Sequence, residues 1–206
     1  MHSHRRLHHL AAVPFVSGQT LDRFLQERIF KPLRMNDTYF YVPDEKLSRL
    51  AVPYTPQDHS GLRPIHETEH LGNLTIAGNG SRGSRRYFSG GAGLVSTAPD
   101  YARFLQMLLN GGELDGVRLL SPKTVELMTV SHGAGFGLGF GVTTHLGGSE
   151  TPASVGSYWW GGLYGTTFWV DPNAQLIGVL MIQLYPNGDV HIRDSFRVLA
   201  YQAITN

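Results

Sequence analysis

Ser154-Val-Gly-Ser-Tyr-Trp-Trp160, Thr166-Thr-Phe-Trp-Val170 and Leu176-Ile-Gly-Val-Leu-Met-Ile-Gln-Leu184 follow one another with only Gly161-Gly-Leu-Tyr-Gly165 and Asp171-Pro-Asn-Ala-Gln175 between them. Each run is rich in aromatic and branched residues and bounded by Gly or Pro, the pattern of strands joined by tight turns. Phe136 to His145 reads the same way. Connections this short cannot carry a crossover, so the four expected strands form an antiparallel meander.

Upstream, the hydrophobic period becomes helical. Thr20 is a suitable N-cap, and Leu21, Phe24, Leu25 and Ile29 recur at helical spacing as far as Pro32. Thr97 caps a second helix, with Pro99 in its first turn and Asp100 completing the capping pattern. Tyr101, Phe104, Leu105, Leu108 and Leu109 share its apolar face, and Gly111-Gly112 stops it. A third helix opens at Ser121-Pro122 and turns Val125 and Met128 inward. Downstream, Ile192 to about Ile204 forms a last helix whose Phe196, Leu199, Ala200 and Ala203 side is expected to pack on the sheet. Thr38-Tyr-Phe-Tyr-Val42 reads as extended. Residues 53–86, rich in Pro, Gly, Ser, Asn and charge, read as a long irregular excursion. Residues 1–16 begin with four histidines in nine positions, follow no period, and are expected to be disordered; the domain then occupies 17–206. Helices, then a sheet, then a covering helix make an α+β fold.

Composition narrows the function. Of 206 residues, 41% are hydrophobic and 16% charged, as in an ordinary globular domain. A net charge of +1 from scattered Lys and Arg gives no field to attract nucleic acid or an anionic membrane. With no cysteine, disulfides, thiolate nucleophiles and Cys-ligated metals are excluded. No apolar run is long enough to span a membrane. Leu10-Ala-Ala-Val-Pro14 is too short and broken for a signal peptide, so a cytoplasmic location is expected. No cofactor is expected: Gly91-Ala-Gly93 lacks the third glycine and the βαβ setting of a dinucleotide site. Nor is a metal, because His66, Glu67, Glu69 and His70 have no helical pattern to align them.

A search for nucleophiles is equally restrictive. Gly-x-Ser-x-Gly does not occur. Ser-x-x-Lys, which sets a hydroxyl and an amine one helical turn apart so that the amine takes the proton, is absent too. Ser89 or Ser157, with His132 or His145 as base, would be an unrecognised arrangement. The unusual segment is Ser157-Tyr-Trp-Trp160-Gly-Gly-Leu163-Tyr-Gly165. Adjacent Trp159 and Trp160 face opposite sides of a strand, so one lies outside the local core. The bare Gly161-Gly162 backbone beside an apolar wall suits a ligand approaching main-chain N–H groups. A strand corner with a packed aromatic cluster explains the same residues.

Four blocks carry a resemblance. They are Ser17-Gly-Gln-Thr-Leu-Asp-Arg-Phe-Leu25 with Ile29-Phe-Lys-Pro-Leu33, then Ser89-Gly-Gly-Ala-Gly-Leu-Val-Ser-Thr-Ala-Pro-Asp-Tyr-Ala-Arg-Phe104, then Leu120-Ser-Pro-Lys-Thr-Val125, and Trp160-Gly161-Gly162 with the strands after it. In this order and spacing the chain resembles the β-lactamase-like serine hydrolases, which include class C β-lactamases, family VIII esterases and D-aminopeptidase relatives. The resemblance covers nearly all of residues 17–204. It implies the C-terminal part of a β-lactamase/transpeptidase-like fold. In that family a Ser of Ser-x-x-Lys attacks, its Lys and the Tyr of Tyr-x-Asn handle protons, and a Lys-Thr-Gly-type strand lines the site. Both of the first two motifs precede the Ser17 block, and Tyr185-Pro-Asn187 follows the last strand, where it reads as a turn. No catalytic residue is therefore assigned here, and the chain alone is expected to be inactive or to act with a separate nucleophile-bearing chain. Trp160, Gly161, Gly162 and Leu163 are assigned to the substrate wall, with the Leu163 N–H as an oxyanion donor. Trp in place of Lys removes a cation that would hold a substrate carboxylate, so a neutral ester or amide is the implied substrate. The resemblance also implies that the strand beginning at Leu176 is left as an exposed edge, open to self-association.

Overall fold

The computed structural model describes residues 13–57, 61–65, 69–71, 74–76, 88, 90–91, 93–145, 151–187 and 191–204. Residues 13–17 are helical. The first named helix, α1 (Leu21–Leu25), follows an extended Thr20 whose hydroxyl makes no capping bond. It widens into a π-helical turn over Gln26–Phe30, beyond which Leu33 and Met35 are buried. A 3-10 helix spans Asp44–Arg49. The extended stretch expected at 38–42 is only a single bridge, Tyr39 to Val95.

The irregular excursion expected over 53–86 contains two hairpins instead. Strands β1 (Tyr54–Gln57) and β2 (Gly61–Pro64) pair with each other, as do β3 (Glu69–Leu71) and β4 (Leu74–Ile76). Two-stranded ribbons consist of edges, where proline is tolerated because no ladder N–H is needed. Pro56 and Pro64 therefore sit within strands that their composition conceals.

Helix α2 (Ala98–Leu109) starts at Thr97, whose hydroxyl accepts the Asp100 N–H at 3.3 Å. The Asp100 carboxylate does not close a capping box. It is buried and accepts the Asp37 N–H at 2.7 Å and the Thr38 hydroxyl at 2.9 Å, tying the chain before the 3-10 helix to α2. Gly111 and Gly112, both at positive φ, end the helix. The short hairpin β5 (Glu113–Leu114) and β6 (Val117–Arg118) follows, and then α3 (Pro122–Thr129), capped by the Ser121 hydroxyl at 3.1 Å from Thr124 N.

The meander is present. Strands β7 (Gly141–Val142), β8 (Tyr158–Gly161), β9 (Thr167–Asp171) and β10 (Leu176–Leu180) form one antiparallel sheet in the order β10-β9-β8-β7. The strands are shorter than their apolar runs. Gly139 at φ +99° lets the chain double back, so Phe136 bridges Gly141 and the Gly137 N–H reaches Phe140 O at 2.9 Å. At the other end of the sheet, Leu184 leaves β10 to bridge Tyr54. Tyr158, Trp160, Phe168, Val170, Ile177 and Val179 face one way and meet Leu105, Leu108 and Val125 of α2 and α3 in a single core. Helix α4 (Ile192–Gln202) covers the opposite face. The result is the α+β fold expected, with β10 outermost among the described residues.

The inward side of α4 is not the one its apolar period suggests. Leu199 is 63% exposed and Ala203 is exposed, whereas Arg197 is buried. The sheet face below explains the turn of the helix. Trp169 lies there fully buried, with Phe196 edge-on at 5.4 Å and the Arg197 guanidinium 5.5 Å over its ring. Next to it Asp171, also fully buried, accepts the Tyr201 hydroxyl at 2.7 Å. An aromatic-and-carboxylate surface selects Arg197 and Tyr201 over aliphatic residues.

Asp171 also accepts the N–H groups of Ser154 (2.9 Å), Asn173 (3.0 Å) and Ala174 (3.1 Å). Burial pushes its carboxyl up, but the bonds from Tyr201, Ser154 and Ala174 outweigh burial and hold it below the usual carboxylate range. A carboxyl depressed on folding stabilises the fold above its unfolded value, ~3.9, and loses that contribution as pH falls through the folded value. Asp171→Asn should therefore cost about 2–3 kcal/mol at pH 7, because an amide cannot accept from all four donors. Urea midpoints measured from pH 7 to pH 3 should converge for the two proteins. A constant gap across that range would count against the carboxylate's role.

Candidate active site

Trp160, Gly161, Gly162 and Leu163 stand together where β8 turns into β9. Trp160 points to the core and meets Phe136 edge-to-face at 5.0 Å. Trp159 points the other way and is 36% exposed, its indole against Gly141, where an added Cβ would be 3.0 Å from the ring. The two tryptophans leave the strand on opposite sides, as its period requires, but their rings come within 6.1 Å of each other at 28° from parallel.

The turn itself is built on glycine. The Gly162 N–H donates to Thr166 O at 2.8 Å, and a Cβ on Gly162 would overlap the Thr166 hydroxyl. Gly165, at φ +94°, donates its N–H to Gly162 O at 3.1 Å. The remaining carbonyls of the turn are also engaged. Leu163 O accepts from Asn187 Nδ2 at 2.9 Å, Tyr164 O from the Leu184 N–H at 2.8 Å, and Gly165 O from Arg193 Nε at 3.1 Å. Asn187 Nδ2 also reaches Leu184 O at 3.0 Å, and its Oδ1 accepts from Arg193 Nη2 at 2.8 Å. Against this background the Leu163 N–H has no hydrogen-bond partner among the described residues, and Leu163 is 52% exposed.

Tyr185-Pro-Asn187 is a turn, as its position suggests, with a cis Tyr185–Pro186 bond. The sequence marks its asparagine only as part of a misplaced Tyr-x-Asn match, and does not single out Arg193, which belongs to no local motif. The only signal is a polar pair flanking the start of the last helix.

Other sequence candidates separate from this turn. Ser157 is completely buried and donates its hydroxyl to Thr143 Oγ1 at 2.9 Å, so no substrate reaches it. The His132 ring contacts Leu127 O at 2.7 Å, and His145 is exposed beside Thr144. Ser89, His66 and Glu67 lie outside the described residues, as do residues 1–12 of the N-terminal stretch. Among the described residues no three His, Asp or Glu side chains cluster as metal ligands. Burial pushes the Tyr101 phenol up to about 12 and raises those of Tyr158 and Tyr164, so none of the three is a base near neutral pH. On the α4 side of the sheet a cleft of about 160 Å³ is lined by Trp159, Gly161, Thr167, Trp169, Arg193 and Arg197. The described turn offers a neutral hydrogen-bond donor beside an aromatic wall, without a nucleophile–base pair.

The family model described as Beta-lactamase matches residues 8–202, taking in half of the stretch that follows no period. An uncharacterized protein of Mycobacterium tuberculosis is 34% identical over 192 residues, covering 84% of this chain and 45% of its own. Lovastatin esterase of Penicillium rubens is 32% identical over 215 residues, covering 88% and 51% respectively. The solved structure of EstCE1, a hydrolase with promiscuous acyltransferase activity, matches with a TM-score of 0.79 at 26% identity, over 93% of this chain and 53% of that one. The chain spans about half the length of the curated relatives it matches. Family match, relatives and fold agree: this chain belongs to the beta-lactamase family of serine hydrolases.

Proposed function

We propose that this chain forms the substrate wall and one oxyanion donor of a carboxylesterase-like serine hydrolase whose nucleophile and proton-handling groups come from a segment outside these 206 residues. The observation that carries this reading is the Leu163 N–H, free and accessible in a turn whose carbonyls from Gly162 to Gly165 are all engaged. A serine oxygen attacking an ester carbonyl puts negative charge on the carbonyl oxygen. A fixed N–H aimed at that oxygen stabilises it more in the transition state than in the ester, and so lowers the barrier. Collapse expels the alcohol and leaves an acyl-enzyme, which water then hydrolyses. Trp160 is only half-buried against Phe136, and the part of its ring left uncovered would offer an apolar surface in place of a cation, which favours a neutral ester over an acid. The similarity to a lovastatin esterase and to a hydrolase with acyltransferase activity supports acyl chemistry of this class.

Alone, the chain holds no Ser-x-x-Lys and its Tyr-x-Asn is a turn, so it does not form an acyl-enzyme. The outer edge of β10, unpaired among the described residues over Leu176–Leu180, is where a second strand, from the nucleophile-bearing segment or another copy, would add. A fluorophosphonate probe tests the reading. The isolated chain should remain unlabelled. Co-expressed with a family N-terminal half bearing Ser-x-x-Lys, it should yield an assembly that labels on that half and hydrolyses p-nitrophenyl butyrate. Stoichiometric labelling of the isolated chain, or an assembly without turnover, would overturn it.

A further inference from the structure

We infer that Asn187 and Arg193 are positioning residues for the oxyanion donor, acting as a clamp that fixes the direction of the Leu163 N–H; this rests on the esterase reading of that turn. A donor contributes to catalysis only if it is held in place before charge develops, because reorganisation during the reaction would cancel its benefit. A segment containing Gly161, Gly162 and Gly165 has no such rigidity of its own, since glycine leaves the backbone its full range of conformations. The restraint comes from the carbonyls. The peptide that bears the Leu163 N–H is held on one side by the Gly165 N–H on Gly162 O, and on the other by Asn187 on Leu163 O. Asn187 spans from that carbonyl to Leu184 O, and Arg193 spans from Asn187 Oδ1 to Gly165 O. Two side chains from outside the turn thus bind two of its four carbonyls and each other, and Arg193 anchors the set in the first turn of α4. Neither side chain bonds the Leu163 N–H, which stays free for a substrate oxygen. The clamp therefore fixes the carbonyls on both sides of Leu163 while leaving its N–H open.

Asn187→Asp keeps the shape and the acceptor for Arg193 but removes both N–H donors. In the assembly with a nucleophile-bearing half, it should lower kcat for p-nitrophenyl butyrate by about 10–100-fold with KM changed less than about threefold, the loss expected when a catalytic group is misplaced rather than removed. In the 206-residue chain by itself, the backbone NMR order parameter of the Leu163 amide should fall from about 0.85 toward 0.6. Arg193→Lys should give a smaller change of the same sign in both measurements. Asn173→Ala, which removes a side-chain bond at the far end of β9, should change neither. An unchanged kcat or an unchanged Leu163 order parameter in Asn187→Asp overturns the clamp. A wild-type assembly that does not turn over overturns the esterase reading and the catalytic purpose of the clamp with it, whatever the amide does.

Discussion

Gly178→Ala should destabilise the chain by about 3 kcal/mol, near the upper end for overpacking by one methyl group. Gly178 in β10 is paired directly with Trp169 in β9, and the indole lies across it. A Cβ at Gly178 would fall within the van der Waals radius of three ring atoms. The ring has nowhere to go: Phe196 stands against it at 5.4 Å, Tyr201 at 6.4 Å, and the Arg197 guanidinium lies over it at 5.5 Å. Relief requires lifting α4, which would also strain the Tyr201–Asp171 bond. For a chain of this size the loss corresponds to a Tm lower by about 6–12 °C. A double-mutant cycle makes the argument specific. Trp169→Phe alone should be destabilising, yet combined with Gly178→Ala it should recover part of the loss, because the smaller ring leaves room for the methyl. Additive single effects would show that the glycine serves some other purpose.

The same corner shows where the sequence could and could not be read. The meander was legible because its runs of aromatic and branched residues are bounded by Gly161-Gly162 and by Asp171-Pro172, which permit only tight connections. The start and end of α2 were legible from Thr97, Pro99 and Gly111. The inward side of α4 was not, because a hydrophobic period assumes a greasy partner, and Trp169 with Asp171 is a partner that prefers Arg197 and Tyr201. Asp100 misled in a related way: its place in the capping pattern was right, but its carboxylate serves Asp37 and Thr38. In the candidate site, Gly-Gly after two tryptophans marks the turn. The side chains that hold it are 24 residues along the chain from Leu163 in one case and 28 from Gly165 in the other, and no local spacing connects them.

Leu163→Pro should lower kcat of the assembled enzyme by about 10²–10³-fold, the loss found when one oxyanion donor is removed. Proline deletes the single backbone N–H at issue while leaving the carbonyl that Asn187 binds. Leu163→Ala is the essential comparison. It removes a half-exposed side chain but keeps the N–H, so it should retain most of kcat and alter mainly KM. Proline also constrains Gly162, so the integrity of the turn has to be read separately. The Leu184 N–H, bonded to Tyr164 O at 2.8 Å, provides that reading. If its hydrogen exchange stays slow in Leu163→Pro while kcat collapses, the lost activity belongs to the donor and not to a disordered loop. If Leu163→Ala loses as much kcat as Leu163→Pro, the side chain matters and the backbone does not, and the oxyanion must be held elsewhere. With the integrity of the turn read at Leu184, the comparison of the two variants isolates the backbone N–H of Leu163, which has no hydrogen-bond partner among the described residues.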